Sequence, residues 1–133
     1  MLVNTPVITV VNAFGNGRNM AYHTTQLQNV WWHGSTVKSV TDRGLVSAEV
    51  YKISIYPESV REKAYLPPSE WQACEERENF WTLRIGDFLV RGAVAGTIEK
   101  PADLNVYADV ATIIGTKDLR SCALPYWRVE GRK

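Results

Sequence analysis

The sequence predicts a mainly β protein, a small barrel or sandwich of six to eight short strands with one or two short helices inserted. Three observations carry that prediction. Runs of β-branched and aromatic residues recur at strand length, and several of them alternate with period two. Glycine, asparagine and proline punctuate the runs at turn-like spacing. At 133 residues, 45% apolar and 22% charged, the chain has the size and composition of a single globular domain spanning 1–133.

Residues 6–14 (PVITVVNAF) are apolar at odd and even positions alike, as a strand covered on both faces requires. Gly15-Asn16-Gly17 then signals a hairpin turn. Residues 20–27 read as the return strand, and residues 29–40 as a third strand, broken or bulged near Gly34. Residues 41–44 form a polar turn. Residues 48–56 follow with the clearest alternation in the chain: Tyr51, Ile53 and Ile55 on one face, Lys52 and Ser54 on the other.

Pro57 stops that strand and opens a long polar stretch, residues 58–79. Ser69 after Pro67-Pro68 is a candidate N-cap for a helix over residues 69–77, with Trp71 and Cys74 on one face. Pro101 suits the first turn of a second short helix over residues 102–107. Residues 110–115 and 125–129 close the chain as strands.

The stretch at residues 81–92 (WTLRIGDFLVRG) holds two short strands whose phase slips between them. Trp81, Leu83 and Ile85 form one apolar set; Phe88, Val90 and Val94 form the next, displaced by one residue. A one-residue slip sends later side chains to the opposite face unless the chain bends. Gly86 can take the unusual backbone angles, and Asp87 can accept hydrogen bonds from nearby amides. The pair therefore marks a tight structural turn between two walls.

Chemistry is harder to find. The net charge of +1 removes the main basis for bulk nucleic-acid binding or for docking to an anionic membrane, and neither a sequence-specific nucleic-acid partner nor a membrane is expected. No apolar run approaches the ~18 residues of a membrane helix, and no leader or glycosylation sequon is present, so the expectation is a soluble protein made in the cytoplasm. Cys74 and Cys122 match no metal module and read as reduced thiols. His23 and His33 lack the spacing of a zinc site, and no G-x-S-x-G, phosphate loop or H-E-x-x-H occurs. Catalytic residues, cofactors and metals are all expected to be none, and the protein is not expected to be an enzyme. The tryptophans stand out. Trp31 and Trp32 are adjacent on a strand, so one faces in and the other out. An outward tryptophan is an interface anchor, and Trp31, Trp32 and Trp71 are the interface candidates.

Several segments together resemble an uncharacterised family of structural proteins from phages and prophages of Gram-positive bacteria. They are ITVVNAF, YHTTQLQNVWW, YKISIYP, YLPPSEWQA, FWTLRIGDFLVRGAV, DVATIIGTKD and PYWRVEGR, in that order over nearly the whole chain. The most specific are W-T-L-x-x-G-D-x-x-V-x-G at residues 81–92 and W-R-V-x-G at residues 127–131. The resemblance implies a location between capsid and tail, similar to head-closure and other head–tail joining proteins. It implies no catalysis. Its implied partners are further copies in a ring and the neighbouring portal, adaptor or tail proteins. The alternative from the residues alone is a β-barrel binding module for single-stranded nucleic acid or a small ligand.

Overall fold

The structure, a computed structural model, describes residues 3–15, 19–42, 44–60, 63–94 and 96–133, and for residues 37–39, 41 and 46–48 the backbone alone. The chain is 50% strand and 15% helix. Its elements are β1 (Thr5–Phe14), β2 (Ala21–Thr41), β3 (Gly44–Ile55), β4 (Ala64–Tyr65), α1 (Pro68–Ala73), β5 (Phe80–Trp81), β6 (Phe88–Arg91), β7 (Val110–Asp118) and β8 (Trp127–Arg132). Segments of 3-10 helix lie at Pro57–Ser59, Arg77–Asn79 and Pro101–Val106. Six strands close an antiparallel barrel in the order β1–β2–β3–β8–β7–β6, with β6 returning to β1. Closure leaves no free edge where the wall is complete.

Alternation explains the interior. Ile8 and Val10 of β1, Leu27, Val30 and Trp32 of β2, and Tyr51, Ile53 and Ile55 of β3 point inward. Leu89, Ala111, Ile113, Trp127 and Val129 complete the ring, and Trp81 and Leu83 enter from the segment before β6. Tyr65 packs on this core, its ring 5.1 Å from Trp81 and 5.0 Å from Trp127, and those two indoles are 5.3 Å apart. The two-residue parallel pairing of β4 with β5 holds Tyr65 opposite Trp81.

β1 is covered on its other face too, as its doubly apolar pattern predicts. Val11 and Val90 pack outside the barrel under Val94, Ile98 and Leu104 from the β6–β7 connection. Thr9 Oγ1 ties that connection down, donating to the Gly92 carbonyl at 2.9 Å and accepting from the Val94 amide at 3.2 Å. The phase slip is now accounted for. Trp81 and Leu83 belong to the interior, whereas Phe88, Val90 and Val94 belong to this outer cluster. Ile85 departs from its expected set: it sits in the turn itself and is 68% exposed.

Gly86 has φ +95°, and the Asp87 amide donates to the Arg84 carbonyl at 3.1 Å, the closure of a tight turn with a positive-φ residue at its third position. Gly86→Val is expected to lower stability by about 1–3 kcal/mol in urea unfolding. A Cβ here meets no atom within 4 Å, so backbone angle alone causes the loss, and Gly86→Asn should retain much of the stability because asparagine tolerates positive φ. An unchanged midpoint for the valine variant would exclude a conformational role for this glycine.

Three expectations need correction. The strands expected at residues 20–27 and 29–40 are one strand, β2, of 21 residues. Its division point is Asn29, at φ +58°, where pairing passes from β1 to β3. The Ser59 hydroxyl donates to the Asn29 carbonyl there at 3.2 Å. Gly34 is neither break nor bulge, because the β2–β3 register runs unshifted through Gly34↔Tyr51. The glycine instead makes room for the Tyr51 ring, whose atoms would lie 3.3 Å from a Cβ. The first helix runs over Pro68–Ala73 with Pro67 before it, so Ser69 is a helical residue and no N-cap. The second is 3-10, Pro101–Val106, with the Asp103 carboxylate accepting from the Glu99 and Lys100 amides. Of the expected turn at residues 15–17, Asn16 and Gly17 lie outside the described residues.

Candidate functional site

The β2–β3 hairpin is longer than the barrel wall needs. β1 accompanies β2 only as far as Val30, and β8 accompanies β3 only from Val50. Beyond these points the two strands pair with each other alone, up to Thr41↔Gly44. The result is a two-stranded ribbon standing off the barrel. Val40 and Leu45 are partners across it near its tip, and they are 84% and 68% exposed. Facing residues of an antiparallel pair share a face, so the two form one apolar knob.

A groove of about 370 Å³ opens on the outside of the barrel, lined by Trp31, Ser54, Tyr56, Glu58, Leu124, Pro125 and Tyr126. β2 and β3 place Trp31 opposite Ser54. The chain after β3 contributes Tyr56 and Glu58, and the β7–β8 loop contributes the rest. That loop is closed at its base by the Leu119 amide, which donates to the Tyr126 carbonyl at 2.9 Å. Arg120 braces it. Its guanidinium forms a bidentate pair with Asp118, Nε to Oδ1 at 2.9 Å and Nη2 to Oδ2 at 2.7 Å. It also lies 4.9 Å from the ring centres of both Tyr65 and Trp127. Hydrogen bonds from Arg120 hold the Asp118 carboxyl below its ordinary range. Leu124 at the groove rim is 74% exposed.

The interface candidates separate sharply. Trp31 is half-buried, turned outward, and stacked parallel on His33 at 5.3 Å between centroids. Trp32 is buried in the barrel against Tyr51, so the in-and-out alternation holds and Trp32 is no surface anchor. Trp71 is fully buried as well. It lies edge-on to Phe14 at 5.9 Å and to His23 at 5.8 Å, and its Nε1 donates to the Phe80 carbonyl at 3.4 Å. A six-residue helix has too little surface to leave such a ring in water, and the indole fastens α1 to the barrel end. Tyr56, Leu124 and Tyr126 were missed as groove residues because a connection's side chains have no period to read.

Asp87, expected as a structural turn residue, is also the centre of a buried network. Its Oδ2 accepts from Asn12 Nδ2 at 3.0 Å, and its Oδ1 from the Ala13 amide at 3.3 Å and Arg84 Nη2 at 3.1 Å. Asn12 Nδ2 also donates to the Thr82 carbonyl at 2.8 Å, and the Thr82 amide donates back to Asn12 Oδ1 at 3.3 Å. Arg84 Nη2 bonds the Ala13 carbonyl as well. Each partner lies in residues 12–13 or 82–84, so the network stitches the end of β1 to the segment before β6.

His23 is half-buried beside Trp71. Burial first, then the charges of Lys63 and Arg77, push its pKa below the ordinary 6.5. The unfolded chain then takes up this proton at higher pH than the folded one. The stability this group contributes is complete above about pH 6.5 and is lost as pH falls below it. Melting temperatures compared at pH 7.5 and 5.5 should fall on acidification, and His23→Gln should fall less. Equal slopes for parent and variant would remove His23 as the cause.

Among the described residues, no group of three or more His, Cys, Asp or Glu side chains could hold a metal ion, and no helix is long and apolar enough to cross a membrane. Cys74 and Cys122 are free thiols, half-buried and exposed respectively. No curated protein and no solved structure matches the chain. A family model matches residues 3–132, nearly the whole sequence, and the chain belongs to that family, DUF6751, a family of unknown function.

Proposed function

We propose that the protein is a phage virion structural component at the head–tail junction, a connector of the head-closure kind that works by assembling into a ring rather than by catalysis. It is made in the host cytoplasm and taken up into the particle. The observation that carries this reading is the ribbon beyond the barrel, with the Val40–Leu45 knob exposed at its end. A two-stranded ribbon is marginal on its own in water, and an apolar tip is a poor surface for a protein that acts alone. The resemblance of the sequence segments to phage structural proteins supports the same setting. Partners are further copies of the chain and the adjoining portal, adaptor or tail protein.

The alternative, a binding module, has one observation in its favour. Trp31 and His33, stacked on the outer wall, make a platform on which a base could lie. The charged side chain lining the groove beside it is Glu58, which repels phosphate. A ligand inside the barrel is disfavoured because aromatic and aliphatic side chains fill the interior. Quenching of Trp31 fluorescence by a single-stranded oligonucleotide, lost in Trp31→Phe, would favour this alternative.

The direct test is deletion from a phage that encodes the protein. DNA-filled heads that leak or fail to join tails are expected. Normal joined particles would exclude an essential junction role, and empty heads would point to the portal or packaging motor instead.

A further inference from the structure

We infer that the Val40–Leu45 knob of one copy docks into the aromatic groove of a second copy, on a floor of Trp31 with walls of Leu124, Pro125 and Tyr126. The inference rests on the ring-assembly reading and supplies its contact. Knob and groove are two apolar features exposed on the same chain, and their positions decide who can meet whom. Both are built on β2, with Trp31 and Val40 nine positions apart (40 − 31). At ~3.3–3.4 Å per residue that is a separation of about 30 Å along the strand. Pairing with β3 continues in unbroken register over the whole interval, from Trp31↔Ser54 to Thr41↔Gly44, so the strand cannot fold the knob back onto its own groove. A knob that fills this groove therefore comes from another molecule, and a second copy carries one.

The odd spacing adds a direction. Successive strand residues alternate faces, so an offset of nine puts the knob on the opposite face of the β2–β3 sheet from Trp31. Each copy then offers a knob on one side and a groove on the other. Such a contact is heterologous, and repeated by one rotation it closes a ring or runs on as a filament.

Area sets its strength. Covering the two knob side chains removes on the order of 200 Å² of apolar surface from water, against about 800 Å² per partner in an interface that stands by itself. A lone pair of copies therefore dissociates in dilute solution. The contact persists where a shared partner holds copies side by side, because tethering raises their effective concentration, and closing the ring makes the last contact intramolecular.

Disulfide trapping tests this on the full chain, with Cys74→Ser and Cys122→Ser as background. Val40→Cys protein and Leu124→Cys protein are mixed at high concentration and oxidised. Heterodimers should form at least ten-fold faster than either homodimer, and faster than with Val106→Cys, an exposed control position. The double variant Val40→Cys/Leu124→Cys should give a ladder of multimers, lost on adding Leu45→Asp. Circular dichroism of each variant checks that it remains folded. Predominant Val40→Cys homodimers would mean a symmetric tip-to-tip contact and overturn the inference. So would cross-linking no faster than the control. Phage deletion separates this outcome from the wider reading: unjoined heads without knob-to-groove cross-links leave a ring built through another contact, whereas normal particles remove the junction role itself.

Discussion

Asp87→Ala is expected to lower the unfolding free energy by about 2–4 kcal/mol, a large share of the total for a chain this size. The carboxylate is buried and accepts from Asn12, the Ala13 amide and Arg84. Its loss strands the Ala13 amide and removes the Arg84 guanidinium's charged partner, while Asn12 keeps only its bonds to Thr82. Each buried group left without a partner costs about 1–3 kcal/mol. Asp87→Asn should cost less, because one oxygen remains, but its amide nitrogen would face a donor at one of the two carboxylate positions. Urea unfolding of the three proteins gives the order parent, asparagine, alanine. A reversed order, or an alanine variant within about 0.5 kcal/mol of the parent, would show that the network does not hold β1 to the segment before β6.

Trp71→Ala is expected to cost about 3–5 kcal/mol, the usual loss for truncating a large buried ring, whereas Trp31→Ala should cost under about 1 kcal/mol. Trp71 is fully buried, between Phe14 and His23 with the Arg84 guanidinium 5.6 Å from its ring centre. Truncating it opens a cavity and releases α1. Trp31 is half-buried and lines an open groove, so under the proposed ring assembly its loss is expected to weaken assembly more than folding. Thermal melts of the isolated variants set against particle formation by the corresponding phages separate the two roles. A Trp31→Ala protein that unfolds as readily as Trp71→Ala would make Trp31 a core residue and leave the groove without an anchor.

Residue periodicity determined more of this protein than any motif did. The alternation of Tyr51, Ile53 and Ile55 predicts their inward placement, and the double apolar pattern of residues 6–14 predicts a strand buried on both faces. The slip at Gly86-Asp87 predicts a tight turn between two apolar sets, although the segment before it is no wall of the barrel. These features were legible because a strand's burial follows a period of two, and that period is local. The reading of residues 20–40 as two strands divided the chain beside Asn29, which does take a positive φ, but the strand runs on through it because pairing passes there from β1 to β3. The break expected near Gly34 failed because that glycine keeps its register. What faces what was decided by the tertiary structure. Asn12 and Asp87 are 75 positions apart, and Trp31 meets Tyr126 across a groove formed by two strands and two connections. Nothing in the spacing of such residues records their contact, because closing the barrel is what brings them together. The same holds for the tryptophans. Trp31, Trp32 and Trp71 are alike in sequence, and only packing separated one half-buried outward ring from two core residues, because burial depends on the neighbours that closure supplies.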